Sequence, residues 1–99
     1  MIMDYLIKYN LTNEDINDII ESIDEEDRLE IELNEERISS ILNYFLSIGL
    51  TNIKDIIITK SNLFYDDVNS IKMRIEKHSN TNIIELLKED PINFDLIGM

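Results

Sequence analysis

Ninety-nine residues with 43% hydrophobic content can bury one modest core, so the chain reads as a single domain over 1–99 with no room for a second. Cysteine is absent, which excludes disulfides, thiolate metal sites and thiol catalysis, and no run of eighteen apolar residues offers a membrane span. The net charge of −12 argues against a nucleic-acid partner, because phosphate backbones are gripped by Lys and Arg.

The opening stretch MIMDYLIKYN has neither the basic head nor the small-residue cleavage site of a signal peptide, so a cytoplasmic protein is expected. Its apolar spacing predicts a helix over 2–9, and Asn10 is a residue able to take the left-handed conformation that ends one. A second helix is predicted over 13–23. The stretch DEEDRLEIEL follows, in which Leu29, Ile31 and Leu33 alternate with Glu30 and Glu32. That is the period of a strand, and it predicts a short extended segment near 28–33. The segment is either a connector pinned by its three apolar residues or an edge that pairs with another chain.

Helical spacing then resumes in Ile38, Ile41, Leu42, Phe45 and Leu46, and again in Ile53, Ile56 and Ile57. Helices are predicted over 35–48, 52–60, 66–78 and 82–89. The tripeptide TNI occurs at 51–53 and 81–83, where Thr or Asn can cap a helix whose first apolar residue follows at once. Pro91 cannot continue the last helix and restricts Asp90 before it, so the tail INFDLIGM is expected to pack as a cap.

Sliding the chain against itself by thirty positions superposes Ile38, Ser40, Ile41 and Phe45 on Val68, Ser70, Ile71 and Ile75. The match continues from Thr51, Asn52, Ile53, Ile56 and Ile57 to Thr81, Asn82, Ile83, Leu86 and Leu87, and from Phe64 to Phe94. A slide of thirty-nine places Tyr5, Leu11, Thr12 and Asn13 on Tyr44, Leu50, Thr51 and Asn52, with Asn10 in the place of Gly49. The offsets differ by nine residues, which locates an insertion. The expected organisation is a partial repeat over 1–23, an acidic insertion over 24–32, repeats over 33–62 and 63–92, and a tail over 93–99. The fold class is therefore an all-α, short helical-repeat domain of five to six helices.

The residues Leu46, Gly49, Leu50, Ile53, Ile56, Ile57, Leu63 and Phe64, followed by Ile83, Leu86, Leu87, Pro91 and Phe94, carry a resemblance. Over roughly 38–94 the pattern resembles the repeat of the mitochondrial transcription termination factor family. The resemblance implies units made of a helix pair plus a short tight helix, stacked into a curved nucleic-acid-binding solenoid. It would place nucleic-acid contacts on the bases of the second half, Lys54, Lys60, Lys72, Arg74 and Lys77.

Charge gives a different emphasis. Residues 1–50 hold thirteen acids against Lys8, Arg28 and Arg37, a balance of −10, whereas 51–99 hold eight acids against six bases, a balance of −2. Glu21, Asp24, Glu25, Glu26, Asp27, Glu30, Glu32, Glu35 and Glu36 put nine negative charges into sixteen residues. A calcium loop would need Gly at its sixth position, and counting from Asp24 gives Leu29. Carboxylate catalysis would need a pocket that separates their pKa values, and nothing in the sequence supplies one. These nine acids read as a solvated surface or as a docking surface for a basic partner.

His78 ends a predicted helix, where a cation suits the helix dipole without any ligand role. Tyr5, Tyr9, Tyr44 and Tyr65 read as core-edge residues. No catalytic constellation, phosphate loop, cofactor or metal site is signalled. The expected function is a non-enzymatic binding protein that occludes a basic protein surface, in the manner of a phage-type inhibitor, an antitoxin or an immunity protein. Composition rich in Ile and Asn points to a low-GC bacterium or phage. The alternatives are the nucleic-acid-binding module and an oligomeric adaptor, a homodimer paired through LEIEL.

Overall fold

The computed structural model describes residues 3–99. Among them the regular structure is entirely helical. A 3-10 helix, Asp4–Tyr9, leads into α1 (Asn13–Ser22), α2 (Glu25–Leu33), α3 (Glu35–Ser47) and α4 (Ile53–Thr59). A second 3-10 helix, Ser61–Tyr65, precedes α5 (Val68–Glu76) and α6 (Ile83–Glu89), and a third, Pro91–Ile97, closes the chain. The expected all-α class is what the structure has. The helix expected over 2–9 is a 3-10 helix, and residue 2 lies outside the described residues.

Helix ends follow local chemistry. Thr12 and Asp15 form a reciprocal capping box at the start of α1, with Thr12 Oγ1 accepting from the Asp15 N–H at 3.0 Å and Asp15 Oδ2 accepting from the Thr12 N–H at 2.9 Å. Asn52 and Asn82 occupy the N-cap positions of α4 and α6, but neither side chain caps its own helix. Asn52 instead donates across the core to the Leu87 carbonyl at 3.2 Å, tying the start of α4 to the last turn of α6. Asn10 and Gly49 both take the left-handed conformation, at φ 65° and 91°. At Gly49 a Cβ would also lie 3.3 Å from Cε of Lys88, whose stem passes over it.

The extended segment expected near 28–33 is overturned: those residues lie in α2. Glu, Leu and Arg are good helix formers, Glu25, Glu26 and Asp27 place negative charge in the first turn where the dipole favours it, and a lone strand would have had no edge to pair with. Alternation every second residue therefore does not make one face. Ile31 is buried at 1% exposure, while Leu29 and Leu33 point away at 46% and 74%. LEIEL has no strand edge to offer a second copy, so the adaptor paired through that edge falls with the segment. Asn34 alone separates α2 from α3, and its Nδ2 donates to the Glu30 carbonyl at 2.9 Å, satisfying the end of α2.

One apolar cluster runs through all nine elements. α3 contributes Ile38, Ile41, Leu42 and Phe45 and packs on α5 and α2, while α4 packs on α1 and on both later 3-10 helices. The Phe45 ring sits edge-on to Phe64 at 6.4 Å between centroids and tilted against Phe94 at 5.8 Å. α4 and α6 begin thirty residues apart, as do the 3-10 helices that follow them, so Phe64 and Phe94 reach the same ring from corresponding places. The expected C-terminal cap is present: Pro91, Phe94 and Ile97 are buried, and Arg74 Nη1 donates to the Gly98 carbonyl at 2.6 Å.

Phe45→Ala should therefore loosen both 3-10 helices at once and cost about 3–5 kcal/mol in urea unfolding, whereas the neighbouring exposed Leu46→Ala should stay within about 0.5 kcal/mol. Equal losses at the two positions would contradict this packing.

Candidate functional site

The nine acids of 21–36 fall on the end of α1, on α2 and on the first turn of α3. The structure divides them. Asp27 accepts from Ser61 Oγ at 2.7 Å and from the Tyr65 hydroxyl at 2.6 Å, so it fastens α2 to the second 3-10 helix. Glu30 pairs with Arg37, whose other guanidinium nitrogen donates to the carbonyls of Phe64 and, at 2.8 Å, of Asp66. One arginine thus joins α2, α3 and the turn before α5. A third fastening comes from Tyr5, whose hydroxyl donates to the Ile31 carbonyl at 2.6 Å.

The other seven, Glu21, Asp24, Glu25, Glu26, Glu32, Glu35 and Glu36, make no ion pair with any described residue. All but Glu32 are exposed, and Glu32 is half-buried. Glu35 and Glu36 line two shallow depressions on the outer side of α3, one of about 690 Å³ reaching Tyr9 and Leu46, the other of about 490 Å³ reaching Leu33 and Arg37. A smaller concavity of about 180 Å³ lies between α1 and α2, lined by Ile20, Glu25, Arg28, Leu29 and Glu32. Sequence reasoning identified the acids but treated Leu29 and Leu33 as buried pins. Their spacing of four is the helical sign that was available.

The second-half bases are not gathered into a groove. Lys54 Nζ lies 2.7 Å from Asp18 and 3.2 Å from Asp15, joining α4 to α1. These contacts hold the Lys54 ammonium above its usual range, the Asp18 hydrogen bond first, and the backbone N–H of Thr12 and then Lys54 hold the Asp15 carboxyl below its usual range. Lys60 is buried at 9% exposure, with Nζ 2.6 Å from Asp95. Arg74 is taken by the Gly98 carbonyl, and Lys72 stands 4.0 Å from Glu76 within α5. Lys77 follows the last residue of α5 and is exposed. His78 lies half-buried in the turn beyond, its carbonyl accepting from the Thr81 hydroxyl at 2.6 Å. Among the described residues no cluster of three or more His, Asp or Glu side chains is placed to hold a metal ion.

The four tyrosines differ. Tyr5 and Tyr9 are buried, Tyr44 is half-buried and Tyr65 is exposed at its contact with Asp27. Burial, with Glu35 nearby, pushes the Tyr5 phenol up, and burial does the same for Tyr44. The hydrogen bond to Asp27 is the first cause of the upward shift at Tyr65. No helix among the described residues is long and apolar enough to cross a membrane. No protein-family model, curated protein or solved structure matches the chain.

The raised phenols give an alkaline test. An unfolded chain sheds these protons near pH 10, while the folded chain keeps them, so their contribution is full below about pH 10 and is lost as pH rises further. Asp27→Ala removes the Tyr65 share, and the fall of the urea midpoint between about pH 9 and about pH 11 should become shallower. An unchanged slope would show that the Asp27–Tyr65 contact does not hold the proton.

Proposed function

We propose that the protein is a non-enzymatic acidic binding protein that covers a basic surface of a protein partner, in the manner of a phage-type inhibitor, an antitoxin or an immunity protein. The observation that carries this reading is the uneven allocation of cations. Arg37, Lys54, Lys60, Lys72 and Lys88 are drawn into ion pairs and Arg74 into a carbonyl contact, while seven carboxylates along α1, α2 and α3 make no ion pair among the described residues, and of the remaining cations only Arg28 and Lys8 line the same depressions. Like charges held this close repel one another and destabilise the folded chain, and a basic partner relieves that repulsion on binding. The same field steers encounter from a distance.

Nucleic acid fits poorly beside this. Of the five bases the repeat resemblance would employ, Lys60 is buried, Lys54 is held by two aspartates and Arg74 by a carbonyl. Occlusion of a partner's own basic groove accounts for the acidic surface without asking those bases to grip phosphate.

A basic protein captured on the immobilised chain from source-cell lysate should associate about tenfold or more slowly when salt is raised from about 50 mM to about 500 mM NaCl. The variant Asp24→Asn/Glu25→Gln/Glu26→Gln/Glu36→Gln, which spares the structural Asp27 and Glu30, should lose that salt dependence. Undiminished association by this variant, or a DNA or RNA mobility shift at low salt that Lys72→Glu/Lys77→Glu abolishes, would refute the proposal.

A further inference from the structure

We infer that the outer face of α2 is an anchor site for a cationic amphipathic helix of the partner, an inference that rests on the acidic-surface reading above and specifies it. The observation is apolar. Leu29 and Leu33 are four residues apart, hence about 40° apart around the helix and about 6 Å along it, on the side opposite Ile31. Ile31 and the Tyr5, Asp27 and Glu30 fastenings already hold α2 to the core from its inner side. Leu33 is left 74% exposed and Leu29 46% exposed.

Charge selects the occupant. Glu25 and Glu26 lie one turn before Leu29 on the same outer side, Glu32 borders Leu29 at about 60°, and Glu36 borders Leu33 in the depression where α3 begins. An apolar pair rimmed by carboxylates complements a helix that carries apolar residues at i and i+3 or i+4 with Lys or Arg beside them. The concavity beside Leu29, about 180 Å³, is lined by Ile20, Arg28, Glu25 and Glu32, two carboxylates to one cation, and has room for one aliphatic side chain of such a helix. An anionic lipid surface would meet the same carboxylates and be repelled. A second copy brings a further −12 of like charge.

The test titrates the intact protein at low salt with two labelled synthetic peptides of equal positive charge, followed by fluorescence anisotropy. One is a Leu/Lys amphipathic helix and the other a Lys/Gly/Ser peptide without apolar residues. The amphipathic peptide should bind about tenfold tighter, and Leu29→Ser/Leu33→Ser should bring it down to the other's level. Met73→Ser, at a residue 61% exposed on α5, should leave binding unchanged. Both replaced leucines are exposed, so the variant keeps its fold, which circular dichroism verifies. Equal affinity of the two peptides, unaffected by the leucine variant, overturns the anchor while leaving the acidic-surface reading standing. Failure of both peptides to bind overturns both. A concentration-dependent dimer in sedimentation that the leucine variant dissolves assigns the face to a second copy and also overturns the inference.

Discussion

Twenty-one carboxylates share the chain with nine Lys and Arg side chains on a body 41 × 22 × 22 Å in extent, so most acids must do without a cation. Where the cations go is then a structural decision. Three of them sit at junctions between elements: Arg37 where α2, α3 and the turn before α5 meet, Lys54 between α4 and α1, Lys60 between the end of α4 and the terminal 3-10 helix. Each joins segments more than twenty residues apart or on different helices, where a partly desolvated contact is worth more than an exposed pair. Of the carboxylates other than Asp27 without an ion pair among the described residues, seven lie along the end of α1, α2 and the start of α3, and Glu14, Asp55, Asp66, Asp67, Glu89 and Asp90 lie elsewhere.

Packing makes this allocation affordable. Phe45 receives Phe64 and Phe94 on one ring, so the two 3-10 helices converge on α3. With the second 3-10 helix fixed there, the Ser61 and Tyr65 hydroxyls and the Phe64 carbonyl stand as attachment points, and α2 is drawn onto them through Asp27 and through Arg37, which also holds Glu30. An element whose composition is strongly acidic is thus held by four polar contacts, two of them at Asp27, and one buried isoleucine. Its outer side carries Leu29, Leu33 and glutamates that make no ion pair among the described residues.

Much of the helical layout was legible because it rests on local chemistry. Periodic Ile and Leu mark α1, α3, α4, α5 and α6 to within two residues at each end, and the exchange of Asn10 for Gly49 identifies two left-handed positions. The nature of α2 was not legible. Leu29, Ile31 and Leu33 alternate like a strand, and only helix propensity, the first-turn acids and the lack of a pairing edge decide otherwise. The split among the nine acids was equally hidden, because Asp27 meets Ser61 and Tyr65 across separations of 34 and 38 residues that no local pattern encodes. The TNI tripeptides marked the helix starts correctly, yet Asn52 does its bonding to Leu87 and not to its own helix.

Neighbouring acids on one helical turn do opposite jobs. Glu26 and Asp27 both sit in the first turn of α2, so replacing either with Ala removes the same charge from the same helix dipole. The urea midpoint at neutral pH separates them. Asp27→Ala should lower it, through loss of the Ser61 and Tyr65 contacts, while Glu26→Ala should leave it unchanged or raise it by relieving repulsion. A lower midpoint for Glu26→Ala, or no change for Asp27→Ala, would contradict the division of this acidic surface into an inner side that holds the fold and an outer side that is free to bind.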